Sequence, residues 1–178
     1  MNTYVAILRG INVSGQRVIL MKDLKALFQK AGYENIMTYI QSWNIVFQSP
    51  EKDREILAKK ITELIKNHFN FEVPVLIIPA HEIEKIITEN PYNDGKKDIA
   101  KLHVTLLWNR PDVKLLSTTR DEKFQSDEFT ISDTVIYLYC PDGYGMTKFS
   151  TTFFEKKLGV NATTRNWKTI TALHDLIK

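Results

Sequence analysis

At 178 residues, with 43% hydrophobic and 25% charged side chains, 7 Gly and 6 Pro, the sequence has the make-up of a globular protein and excludes a disordered or low-complexity chain. A formal net charge of +3 gives weaker long-range attraction to polyanions than a dedicated nucleic-acid binder shows. The single cysteine, Cys140, excludes an internal disulfide, and with four dispersed histidines it offers no zinc-ligand spacing, so neither metal nor cofactor is expected and a reducing cytoplasm is the expected location.

Tyr4-Val5-Ala6-Ile7-Leu8 reads as a first strand. Met1-Asn2-Thr3 lacks the charged lead of a signal peptide, and no apolar run reaches the roughly 20 residues that cross a bilayer, so secretion and membrane insertion are not expected. A loop from Gly10 to Gly15 follows. Residues 22–31 keep Leu24, Leu27, Phe28 and Ala31 at helical spacing, with Gly32 as terminator. Ile36–Ile40 and Asn44–Phe47 read as two strands joined through a tight Gln41-Ser42-Trp43 turn, or as one extended strand with a bulge. Ser49-Pro50 reads as the start of a second helix, Ser as cap and Pro at the first helical position, with Leu57, Ile61, Leu64, Ile65 and His68 as its buried stripe. Val73–Ile78 is the next strand.

That order, strand-helix-strand-strand-helix-strand, is the ferredoxin-like split βαβ pattern, which packs helices on one face of an antiparallel sheet and leaves the opposite face available. A helix from about His81 to Glu89 leads into the turn-rich stretch Asn90–Lys97. The second half offers a strand at Leu102–Trp108, a helical or irregular piece at Asp112–Thr119, a hairpin of Phe129–Ile131 and Val135–Tyr139 through Ser132-Asp133-Thr134, and helices at Ser150–Leu158 and Trp167–Ile177. The expected class is α+β: two ferredoxin-like α/β subdomains, residues 1–79 and 99–178, with residues 80–98 as connecting helix and linker.

Several blocks resemble the bacterial, uncharacterised family catalogued as domain of unknown function family 1697. They are Leu8-Arg9-Gly10-Ile11-Asn12-Val13, Thr38-Tyr39-Ile40-Gln41-Ser42 with Asn44, Gly145 with Lys148, Phe154–Val160, and Ala162-Thr163-Thr164-Arg165-Asn166-Trp167. The resemblance implies a pair of ferredoxin-like subdomains and carries no activity. The chain departs from the family pattern where Gly is usual at Ser14 and Trp43, Lys at Gln16 and Asn at Lys168. A Trp at a turn position does not adopt positive φ as Gly does, so the turn has another shape or Trp43 presents an exposed ring.

Chemistry is less legible. Gly10–Arg17 has P-loop glycine spacing, but Gln16-Arg17 stands where Lys and a hydroxyl residue are needed, which leaves a structural turn or an anion loop using Arg9, Asn12 and Arg17. Asp142–Lys148 enters a helix at Ser150, where main-chain amides favour anions, or where two glycines make a turn and Ser150 caps. Asn166 suits a helix cap and Trp167 a core, whereas the Arg165 fork suits a carboxylate or phosphate. No nucleophile elbow or paired carboxylate stands out.

The expected site therefore gathers Arg9, Asn12, Gln41, Ser42, Asn44, Lys148, Arg165 and Asn166 around an anionic small molecule, phosphate-bearing, or a nucleic acid. Tyr39, Trp43 and Phe47 on an open sheet would stack RNA bases. Two alternatives stand beside this: an enzyme of unknown reaction using the same cluster, and a protein-interaction module built on Trp43 and sheet edges.

Overall fold

Alternation builds the first sheet. In β1 (Asn2–Leu8), Tyr4, Ala6 and Leu8 face one way, Val5 and Ile7 the other. Ile45 and Phe47 alternate with Val46 in β3 (Asn44–Ser49), as Val75 and Ile77 do with Leu76 and Ile78 in β4 (Val75–Pro79). The computed structural model describes residues 1–11, 18–39 and 43–178. It sets β1 antiparallel between β3 and β4, with β2 (Glu34–Tyr39) outside β3, giving the order β2-β3-β1-β4. Helices α1 (Met21–Lys30) and α2 (Arg54–Phe69) cover one face: Leu24, Leu27, Phe28, Leu57, Ile61 and Ile65 share a core with Tyr4, Ala6, Leu8, Ile45, Phe47, Val75 and Ile77.

The second half repeats the plan. β5 (Leu102–Leu107), α4 (Val113–Arg120), β6 (Glu128–Ser132), β7 (Val135–Tyr139), α5 (Thr151–Leu158) and β8 (Ala162–Asn166) form a sheet of order β6-β7-β5-β8, antiparallel throughout. Its helix-side core holds Leu107, Ile131, Ile136, Leu138, Cys140, Phe149, Phe154 and Leu158. Both halves are thus α+β and ferredoxin-like. Helices α3 (Ala80–Glu89) and α6 (Trp167–Ile177) complete the chain. Two compact units result, Met1–Lys85 with Ala172–Lys178, and Ile86–Thr171.

The turn-rich stretch after α3 is anchored within the second unit. Tyr92 OH lies 2.9 Å from Thr130 Oγ1, and Lys97 Nζ sits 2.5 Å from Glu128 Oε1 and over the Tyr139 ring. Helix ends follow local chemistry. Ser150 accepts from Phe153 N at the start of α5, and Gly159 closes that helix at φ 66°.

Four expectations are corrected. Ser49-Pro50 does not open α2: Ser49 pairs with Asn2 at the end of β3, and Asp53 caps the helix, accepting from Glu55 N and Ile56 N. A single carboxylate oxygen, Oδ1, meets both amides. Asp53→Ala is expected to lower stability by about 1 kcal/mol in urea unfolding, with no change in m. His68 is exposed, its ring edge-on to Phe69 at 4.7 Å, because α2 buries only the Leu57-Ile61-Ile65 line.

The far faces of the sheets are not open either. Val5, Ile7, Val46 and Ile78 are buried, as are Val104, Leu106 and Tyr137, since those alternate positions carry apolar side chains too. Nor is Phe47 offered for stacking: it is buried among Tyr4, Phe28 and Tyr33. Trp43 adopts φ 52° after all, with its ring half-buried against the first core. The left-handed conformation costs about 1–2 kcal/mol for an L-residue, which the burial of a large ring offsets.

Candidate functional site

In the second unit, polar side chains interrupt the helix-side face of the sheet. Thr105 on β5 stands opposite Thr164 on β8, and their hydroxyl oxygens lie 2.7 Å apart. Thr164 Oγ1 is also 2.7 Å from Thr151 Oγ1 in the first turn of α5. Thr151 in turn meets Tyr144: its main-chain N donates to the phenol oxygen at 3.1 Å, and the two hydroxyls are 3.3 Å apart. Tyr144 belongs to the turn that leaves β7, where Gly143 at φ 96° supplies a conformation closed to most side chains. The Tyr144 ring stacks on His103 at 4.7 Å and 24°. Burial holds the His103 imidazole below its ordinary range, opposed by its contact with Lys101 O, so the ring is neutral at physiological pH.

This chain of hydroxyls ties β5, β8, the start of α5 and the preceding turn together. Each hydroxyl both donates and accepts, so a continuous run is self-satisfying in a region where an unpaired polar group would be costly. Sequence reasoning missed it. The signal available was weak: Thr105 interrupts an apolar run and Thr164 lies in a polar one, and they are 59 residues apart, so only strand register pairs them.

The expected site residues divide between the two units. Within the first, Arg9 ends β1 with its N bonded to Pro74 O at 3.1 Å, and Asn44 is fully buried at the start of β3 opposite Ile7. Asn12, Gln41 and Ser42 lie outside the described residues, as do Ser14, Gln16 and Arg17. Within the second, Asn166 caps α6, its Oδ1 accepting from Thr169 N at 2.8 Å. Lys148 Nζ is 2.8 Å from Glu122 Oε2, and Lys157 Nζ is 2.5 Å from Glu122 Oε1. The Phe153 ring lies beneath both ammonium groups. Lys148 and Lys157 thus share one carboxylate, which ties the turn before α5 to the segment after α4.

Hydrogen bonds from Lys148 and then Lys157 hold the Glu122 carboxyl down to about 2. A depressed carboxyl adds stability that is whole above its unfolded value near 4.5 and lost as pH falls through about 2. Between pH 5 and pH 2 the native chain is expected to lose urea resistance faster than Glu122→Gln; parallel losses would contradict the bridge.

On β8, Thr163 and Arg165 face away from Thr164, opposite the helix side, with Arg165 beside Val104 of β5. Its Nη1 donates to Thr163 Oγ1 at 2.7 Å and to Thr164 O at 3.0 Å. Removal from water pushes its guanidinium down to about 10, still charged at neutral pH. Cys140 is buried in the second core, and burial, with the Asp127 carboxylate adding to it, pushes the thiol up to about 11, which makes it inert as a nucleophile. Among the described residues no His, Cys, Asp and Glu groups cluster as a metal site, and no helix is long and apolar enough to cross a membrane.

A family model described as "Protein of unknown function (DUF1697)" matches residues 1–137, so β8 and Arg165 lie beyond the matched span. No curated protein matches the sequence. Among solved structures, "conserved bacterial protein SP0830 from Streptococcus pneumoniae" is similar over 99% of each chain, at a TM-score of 0.79 and 21% identity. That likeness concerns the fold.

Proposed function

Because the chain belongs to the DUF1697 family of proteins of unknown function, which supplies no reaction, we propose from its own residues that it is a binding module for a small phosphate-bearing anion anchored on Arg165. What supports the reading is the dehydration of the Arg165 guanidinium. Taking a cation out of water costs free energy, and an oxyanion that meets it there interacts more strongly than it would with a solvated lysine. Thr163 Oγ1 and Thr164 O both accept from Nη1, which fixes the orientation of the fork. A planar fork held in one orientation suits two oxygens of one phosphate.

A small ligand is favoured over nucleic acid, since Phe47 is buried in the first core and Trp43 packs against it. The buried cysteine suits a cytoplasmic setting for this module. Calorimetric titration with sodium pyrophosphate tests the reading: binding weakens as KCl is raised and falls sharply in Arg165→Ala. Equal binding by that variant would remove the anchor.

A further inference from the structure

The first unit carries a groove of about 440 Å³ between β2, the near end of the sheet and the last turn of α6, a size within the range of ligand sites. Its floor is a row of neutral polar side chains drawn from three strands. Asn35 Nδ2 on β2 donates to Gln48 Oε1 on β3 at 2.6 Å, and Gln48 Nε2 donates to Thr3 Oγ1 on β1 at 3.3 Å. Asn35 holds φ 47° where the β2–β3 register shifts between Glu34 and Met37, a bulge that re-aims the side chain. Met37, Leu176 and Ile177 supply apolar walls.

Two features define the occupant. Ile36 also borders the groove, yet its side chain is in the core at 7% exposure, so it meets the groove through its main chain. β2 is the outermost strand of its sheet, so this is main chain on a sheet edge, the group an added strand pairs with. The groove is also close to neutral: no acidic side chain lines it, and the ammonium of Lys178 lies 3.3 Å from Asp175 Oδ1. A charged ligand gains little there. A peptide unit, carrying one donor and one acceptor, complements both the edge and the amide of Asn35 on β2, which retains an N–H and a lone pair.

We propose that this groove takes an uncharged extended peptide segment, which adds to β2 as a fifth strand and sets alternate side chains against Met37, Leu176 and Ile177. Affinity comes from the main chain and selectivity from the walls. The bulge at Asn35 shortens the edge open to pairing, so a short segment is taken and open-ended stacking of strands is discouraged. The proposal is independent of the Arg165 reading.

The test is calorimetry of the full chain with a blocked, uncharged hexapeptide of alternating valine and threonine, backed by amide NMR. Saturable binding is expected, with shifts at Ile36–Tyr39, a loss of at least tenfold for the fully N-methylated peptide, and no change in Arg165→Ala. Gln48→Ala, which removes the partner that holds Asn35, is expected to weaken binding several-fold; Leu176→Ala, outside the sheet, should do likewise and guards against a merely distorted sheet. Absence of binding, equal binding of the N-methylated peptide, or displacement by adenosine or pyrophosphate would overturn it.

Discussion

Phe149→Ala is expected to remove about 3–5 kcal/mol from the stability of the chain, the largest single loss anticipated outside the binding reading. Phe149 is fully buried, and four other rings surround it: Phe129 at 4.7 Å, Phe153 at 5.3 Å, Phe154 at 6.2 Å and Phe124 at 6.4 Å. Three of those contacts are edge-on, a geometry that adds to simple burial. Truncation leaves a hole walled by rings belonging to β6, α5 and the turn before β6, which have little freedom to collapse inward. A domain of this size is stable by only about 5–15 kcal/mol, so the variant approaches the unfolding threshold. Urea denaturation reads the effect as a lower midpoint, and Phe149→Leu should recover most of it. A loss below about 1 kcal/mol would mean that the ring cluster repacks freely.

The second large effect concerns Arg165. Deleting a partly desolvated charged partner from a complex costs about 2–4 kcal/mol, or roughly 30- to 1000-fold in Kd. Arg165→Ala is expected to fall in that range for pyrophosphate. Arg165→Lys should recover charge but not the two-pronged geometry, and land between the native chain and the alanine variant. Because Nη1 already serves Thr163 and Thr164, the alanine variant also leaves those acceptors unmet; the lysine variant separates that structural loss from the loss of binding.

The architecture was legible because its signals are local. The apolar run Tyr4–Leu8, the spacing of Leu24, Leu27 and Phe28, the hairpin at Ser132–Thr134 and the Gly159 stop each announce an element over a few residues. The element order then points to a ferredoxin-like arrangement, which the sheet order of each half bears out. The misreading at Ser49-Pro50 is instructive in the same terms. Ser-Pro is a sound start signal, but Ser49 was already committed to the β1–β3 ladder, and Asp53, four residues on, competed successfully for the helix start. β8 was missed as a strand because Thr163-Thr164-Arg165-Asn166 has little apolar character; one face carries Thr164 and Asn166 and the other Thr163 and Arg165.

The site was less legible because its parts are joined by register and by tertiary packing. Nothing near Lys148 in sequence announces its ion pair with Glu122, 26 residues earlier. Nothing in the chain order announces that Asn35, Gln48 and Thr3 form one row, or that Tyr144 stacks on His103. Asn166 was legible as a cap because capping is local, and it does cap.

The reading of Arg165 as an anion anchor is tested most directly by the side-chain ¹⁵N resonances of that residue during titration with pyrophosphate. The Arg165 Nε signal should move saturably, at the same concentrations that calorimetry reports, and the response should vanish in Arg165→Ala. An Arg165 signal that stays fixed while the anion binds elsewhere would contradict the account.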